Sequence, residues 1–200
     1  MIKTVIFDIG NVLTGFCWKE FFKSFGYDAE TTGKIERATV ESPAWNEYDR
    51  GCMTDQEVLE EFIKNDPSVE RQIRESLADV RGILSRCDYA IPWIQELKAG
   101  GRQVLVLSNF SNKAYTDCQD ALDFLPYTDG GILSYREKCI KPEPEIYRRL
   151  IEKYHLIPQE CVFLDDLQRN LDGAAAFGIH TILFCSQAQA RAELKKLGVE

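Results

Sequence analysis

Thr4-Val5-Ile6-Phe7-Asp8-Ile9-Gly10-Asn11-Val12-Leu13 decides the reading of this 200-residue chain. Thr4 to Phe7 is short, rich in branched residues and apolar at consecutive positions, and it ends on a carboxylate. That pattern suits a strand covered on both faces, as in a parallel sheet. It returns at Val104-Leu105-Val106-Leu107, Cys161-Val162-Phe163-Leu164 and Thr181-Ile182-Leu183-Phe184, with a weaker run at Gly131-Ile132-Leu133-Ser134. Helical patterns lie between them, near residues 90–99, 112–122, 143–154 and 168–177. Alternating strands and helices predict an α/β fold, a Rossmann-like doubly wound parallel sheet with helices on both faces.

Residues 15–84 break the alternation. No convincing strand falls there, and helical segments lie near 18–25, 30–39, 54–65 and 68–78. The third has a defined start: Thr54 as N-cap with Glu57 three residues on forms a capping box, and Val58, Leu59, Phe62 and Ile63 follow as a buried stripe. The expected organisation is therefore an α/β core made of residues 1–14 and 85–200, interrupted by an all-helical block at 15–84. The block must return to the sheet, so its ends should lie close together.

Composition narrows the function classes. Apolar residues at 44% and charged residues at 28% are ordinary for a globular chain and argue against a disordered or fibrous one. A formal net charge of −8 lacks the basic footprint of a nucleic-acid or anionic-membrane binder. The seven cysteines, at 17, 52, 87, 118, 139, 161 and 185, form no C-x-x-C pair, and His155 and His180 are not at a paired-ligand spacing, so zinc is not expected. Scattered cysteines behind an N-terminus without a signal-peptide pattern read as reduced thiols of a cytoplasmic protein. No apolar run approaches the roughly 18 residues that span a bilayer.

In open α/β sheets, ligands bind beyond the carboxyl ends of strands. Those positions hold Asp8-Ile9-Gly10-Asn11 after the first strand, Ser108-Asn109 after the second long run, and Asp165-Asp166 after Cys161–Leu164; Lys141-Pro142 precedes the 143–154 helix. Taken singly, each has a plain explanation: a turn carboxylate, a helix-capping pair, a solvated loop lysine. Together they bring a hydroxyl, a lysine and three carboxylates to one sheet edge. That set suits phosphoryl transfer. A carboxylate attacks phosphorus and forms an acyl phosphate. Hard oxygen ligands hold Mg²⁺ to screen the repulsion between anions, and catalysis comes from positioning and electrostatics.

Four ordered motifs carry a resemblance. Phe7-Asp8-Ile9-Gly10-Asn11-Val12-Leu13, Leu107-Ser108-Asn109, Lys141-Pro142-Glu143-Pro144-Glu145-Ile146-Tyr147, and Phe163-Leu164-Asp165-Asp166 with Asn170 resemble the motifs of the haloacid dehalogenase-like hydrolase superfamily. The helical block sits where that family places its helical C1 cap. Phe7-Asp8-Ile9-Gly10-Asn11-Val12, and Tyr48-Asp49-Arg50-Gly51 before the Thr54 helix, look most like the bacterial subgroup containing the alpha-glucose-1-phosphate phosphatase. The resemblance implies a phosphatase of small phosphorylated metabolites, with Asp8 as nucleophile and Mg²⁺ ligand. It makes Asp166 and the Gly10 carbonyl further ligands, with Asp165 acting through water or from behind them. Ser108, Asn109 and Lys141 become the phosphate cradle, and Asn170 orders the last loop. Arg50 reads either as a cap residue reaching substrate or as a cap salt bridge.

One departure stands out. The family's phosphatases usually carry a second aspartate two residues after the nucleophile, as general acid/base. This chain has Gly10 there, so no side chain at that position can protonate the leaving group. That leans toward a substrate with a good leaving group, such as a sugar 1-phosphate. Alternatives are a phosphomutase or dehalogenase on the same scaffold, or a binding module without turnover. The paired carboxylates Asp165-Asp166 speak against a dehalogenase, which needs no metal, and the glycine speaks against a mutase.

Overall fold

The computed structural model describes residues 1–199. Its centre is a five-stranded parallel sheet in the order β5-β4-β1-β6-β7, formed by β1 (Thr4–Phe7), β4 (Gln103–Ser108), β5 (Gly131–Leu133), β6 (Cys161–Asp165) and β7 (His180–Leu183). β1 sits in the middle because its four residues are buried on both faces. Successive side chains of a strand point to opposite faces. Val5 and Phe7 accordingly enter one apolar cluster and Ile6 the other.

The cluster containing Ile6 is closed by α9 (Pro144–Tyr154) and α10 (Gln168–Ala175), through Ile146, Tyr147, Leu150, Leu171 and Ala174. The other is closed by α6 (Ala90–Ala99) and α11 (Gln187–Lys196), and it continues into the helical block through Phe22, Ile35, Phe62 and Ile73. Trp93 of α6 meets the Phe7 ring edge-on at 4.8 Å. Full burial of one such side chain contributes about 1.5–3 kcal/mol, so truncation of Phe7 would be felt throughout the sheet. The remaining core helices, α7 (Asn112–Asp117) and α8 (Ser134–Glu137), are short and sit at the carboxyl edge. Among the described residues, no helix is long and apolar enough to cross a membrane.

Between β1 and β4 the chain makes α1 (Trp18–Lys23), α2 (Ala29–Ala38), α3 (Ala44–Arg50), α4 (Asp55–Asn65) and α5 (Glu70–Leu77). α4 begins at the expected box: Thr54 accepts from the Glu57 amide at 3.2 Å, and Glu57 accepts from the Thr54 amide at 2.7 Å. The block is entered and left through a feature the sequence did not announce. β2 (Thr14–Phe16) and β3 (Leu84–Arg86) pair antiparallel, Thr14 opposite Arg86 and Phe16 opposite Leu84. Three-residue strands are too short to show alternation. α3 also escaped the sequence reading, being seven residues long with no side-chain N-cap.

Candidate active site

Parallel register sets the site. Phe7 is level with Val106 of β4 and Leu164 of β6. The next residue, Asp8, therefore leaves the sheet between the ends of both neighbours, with Ser108 on one side and Asp165 on the other. The Asp8 amide still donates to the Leu164 carbonyl at 2.9 Å, so the ladder holds the backbone at the point where the side chain turns outward.

Lys141 joins the carboxylates. Its ammonium lies 2.9 Å from Asp8 Oδ1 and 2.6 Å from Asp165 Oδ2, and the residue is 2% exposed. The Lys141 loop is held by Asn109, whose Oδ1 accepts from the Lys141 amide at 2.7 Å and whose Nδ2 donates to the Lys141 carbonyl at 3.0 Å. Asn109 thus spends its side chain on the lysine loop, and the expected phosphate contact is one for its backbone N–H; the residue lines the cavity. Asn170 Nδ2 donates to both oxygens of Asp165, at 3.0 and 3.1 Å, and the Leu167 amide donates to Asp165 Oδ1 at 2.8 Å. Asn11 Nδ2 donates to Asp166 Oδ2 at 2.9 Å.

Oxygens of Asp8, Asp165 and Asp166 lie within 4.8 Å of one another. All donors are hard carboxylate oxygens, which suits Mg²⁺ and not a thiolate-seeking metal. Asp165 already accepts from Lys141, Asn170 and Leu167, so the less committed oxygens belong to Asp8 and Asp166. Burial pushes the Asp8 carboxyl up to about 6, against the pull of Lys141 and with the help of Asp165. Burial also raises Asp166. Lys141 is pushed down by burial, yet Asp8 and Asp165 outweigh that and raise it above the ordinary lysine value. The lysine is a fixed cation, and a divalent ion would draw the carboxylates back to their charged forms.

A cavity of about 530 Å³ opens above this floor of Asp8, Ser108, Lys141 and Asp166. Apolar Phe16, Val40, Trp45, Ile83, Leu84 and Phe110 line it as well, interspersed with the polar Glu41, Ser42 and Asn46. Trp45 comes from the helical block and lines the cavity, whereas Trp93 is in the core. A fourth carboxylate, Asp49 of α3, also enters from the block. The tetrapeptide containing it was legible, but the reading fixed on its neighbour Arg50. Arg50 does not reach the cavity. Its guanidinium forks onto Glu143 at 2.8 and 2.7 Å and also meets Glu47. His155 closes α9 in a left-handed conformation and His180 is exposed on β7; neither approaches the site.

The sequence profile of the haloacid dehalogenase-like hydrolases matches residues 2–178. Among curated relatives, mouse acyl-CoA dehydrogenase family member 10 is 29% identical over 98% of the chain, which spans only 19% of that protein. The sesquiterpene phosphatase astK of Aspergillus oryzae is 22% identical over 98% of the chain and 96% of its own length. Among solved structures, a HAD family enzyme of Bacteroides thetaiotaomicron, bt-2542, crystallised with magnesium and inorganic phosphate, superposes with a TM-score of 0.71. It is 23% identical, over 94% of this chain and 96% of that one.

Proposed function

The chain belongs to the haloacid dehalogenase-like hydrolases, and from that premise we propose that it is a Mg²⁺-dependent phosphatase of small phosphate monoesters. The observation that carries the proposal is the floor of the cavity: a buried carboxylate just beyond the end of the central strand, one lysine 2.9 Å from it, and Asp166 beside it. We further propose that residues 15–84 act as a helical cap over a core made of residues 1–14 and 85–200.

In this reading Asp8, the Gly10 carbonyl and Asp166 hold Mg²⁺, with Asp165 acting from behind through Lys141 and water. When bound, the ion neutralises charge on the phosphoryl oxygens. Asp8 attacks phosphorus through its free oxygen, the bond to the ester oxygen breaks, and an aspartyl phosphate forms. Water then attacks that phosphorus, the Asp8–phosphorus bond breaks, and inorganic phosphate leaves. Lys141 spans Asp8 and Asp165, so it fixes the nucleophile's orientation and faces the developing charge with a cation that needs no reorganisation. The Ser108 hydroxyl and the Asn109 amide hold a phosphoryl oxygen.

The organic part of the substrate meets the apolar side chains of the lining, and one full-length relative is a phosphatase named for sesquiterpenes. The class we favour is the phosphate of an alcohol with an apolar face; sugar 1-phosphates are the comparison class. Seven unpaired cysteines suit a reducing, cytoplasmic setting.

The test is phosphate release from p-nitrophenyl phosphate, alkyl and prenyl phosphates and sugar 1-phosphates, with Mg²⁺ and with excess EDTA. Mg²⁺-dependent release supports the reading. Equal rates under both conditions, or chloride release from 2-haloacids without phosphate release, overturns it.

A further inference from the structure

Gly10 leaves the leaving group without a side-chain proton donor at that position, and the other carboxylates lining the cavity are the groups that could replace it. Four carboxylates line it: Asp8, Asp166, Glu41 and Asp49. Asp8 and Asp166 belong to the floor. Glu41 is exposed at the rim. Asp49 is half-buried, and the surface it keeps faces the cavity. Among the described residues no hydrogen bond or ion pair reaches its carboxylate, although its neighbours on both sides are engaged.

That engagement fixes Asp49 in place. Ser134 of α8 accepts from the Phe110 amide at 2.8 Å and donates to the Asp49 carbonyl at 2.6 Å. The next residue, Arg50, forks onto Glu143, two residues after Lys141. The residue after that, Gly51, accepts from Lys138 through its carbonyl. Gly51 ends α3 with φ +70°, and a Cβ there would stand 2.8 Å from Tyr135 Cβ. Three consecutive residues of the cap are thus fastened to the core stretch that carries Lys141. A fastening of three adjacent residues around one free, cavity-facing carboxyl positions that group, and does more than close a lid.

Resting on the phosphatase reading, we propose that Asp49 is the general acid/base of this site, supplied from the cap in place of the residue that Gly10 lacks. In the first step Asp8 bonds to phosphorus, the phosphorus–ester oxygen bond breaks, and the departing oxygen takes its proton from the Asp49 carboxyl. In the second step the Asp49 carboxylate takes a proton from water as that water bonds to phosphorus and Asp8 departs. Alcohol and phosphate are released, and Asp49 ends protonated, as it began. The local electrostatics agree: burial, reinforced by the charge of Asp8 and only partly offset by Lys141, pushes Asp49 up to about 8, so it holds a proton at neutral pH.

The experiment compares wild type with Asp49→Asn across a series of phosphate monoesters, from p-nitrophenyl to simple alkyl phosphates, in saturating Mg²⁺. The readout is kcat/KM, which covers the steps through cleavage of the ester bond. General acid catalysis contributes about 10²–10⁴-fold, so the variant should lose that much on alkyl phosphates and less than tenfold on p-nitrophenyl phosphate, whose leaving group departs unaided. Melting temperature and inhibition by orthovanadate should stay near wild type. A loss of the same size on every ester, or no loss on any, overturns the assignment of Asp49 while wild-type turnover leaves the phosphatase reading standing. Absence of phosphate release from wild type with any ester overturns both.

Discussion

Arg50 and Glu143 form a two-pronged ion pair between the helical block and the α/β core, one residue from Asp49 on one side and two from Lys141 on the other. The pair therefore ties the proposed proton donor to the loop of the proposed phosphate-binding lysine. It is partly exposed, so its worth lies in geometry more than in energy.

The Arg50 hydrogen bonds, opposed by partial burial and helped by the Ile140 amide, hold the Glu143 carboxyl below its ordinary value. A carboxylate depressed in the folded state stabilises above the unfolded value and loses that contribution as pH falls through the folded one. Glu143→Gln should melt slightly below wild type at pH 7, and the gap should close below about pH 4, as read by thermal melts across pH. High salt should shrink it as well.

Lys141→Met should destabilise the chain strongly. It removes the shared cation from Asp8 and Asp165 and leaves two buried carboxylates facing each other. Breaking a buried pair by deleting one partner costs about 3–5 kcal/mol. Urea unfolding in metal-free buffer measures it, and a midpoint equal to wild type would contradict the account.

Asp8→Asn should abolish turnover without unfolding the chain. The amide keeps the shape but is a poor nucleophile and a poorer hard-cation ligand. Steady-state phosphate release, with circular dichroism as the folding control, tests this; retention of a large share of activity would place the nucleophile elsewhere.

Gly10→Asp should be tolerated. A Cβ at Gly10 meets no atom within 4 Å, and Gly10 is not among the residues at positive φ, so no backbone strain resists the side chain. Combined with Asp49→Asn, it should recover alkyl phosphate hydrolysis by about tenfold or more, with a melting temperature close to that of the single variant. Failure to recover would mean that the open space at Gly10 does not aim at the leaving oxygen.

The sheet was legible because its inner strands β1, β4 and β6 are almost wholly buried and so read as unbroken apolar runs, and Gly131–Leu133, the weakest, proved to be an edge strand. The Thr54 capping box was legible because both of its residues are local. The β2–β3 ribbon was not, since its stability comes from pairing over some seventy residues. The Ser186-capped helix Gln187–Lys196 was missed because its apolar stripe is thin, with only Ala190 and Leu194 buried. The floor carboxylates and Ser108 were legible by their place at strand ends, and Lys141 by its place just before a helix. Asp49 was not, because only the docking of α3 on α8 turns it into the cavity.

The alternation of β1 between two interiors has a consequence for how the molecule comes apart. The interior behind Ile6 is sealed by core helices alone, while the interior behind Val5 and Phe7 runs on into the helical block. Melting the helical block would therefore open one end of the interior behind Val5 and Phe7, which α6 and α11 still cover, and leave the interior behind Ile6 closed. Opening of the block's helices should therefore loosen the Val5 and Phe7 side of β1 before the Ile6 side.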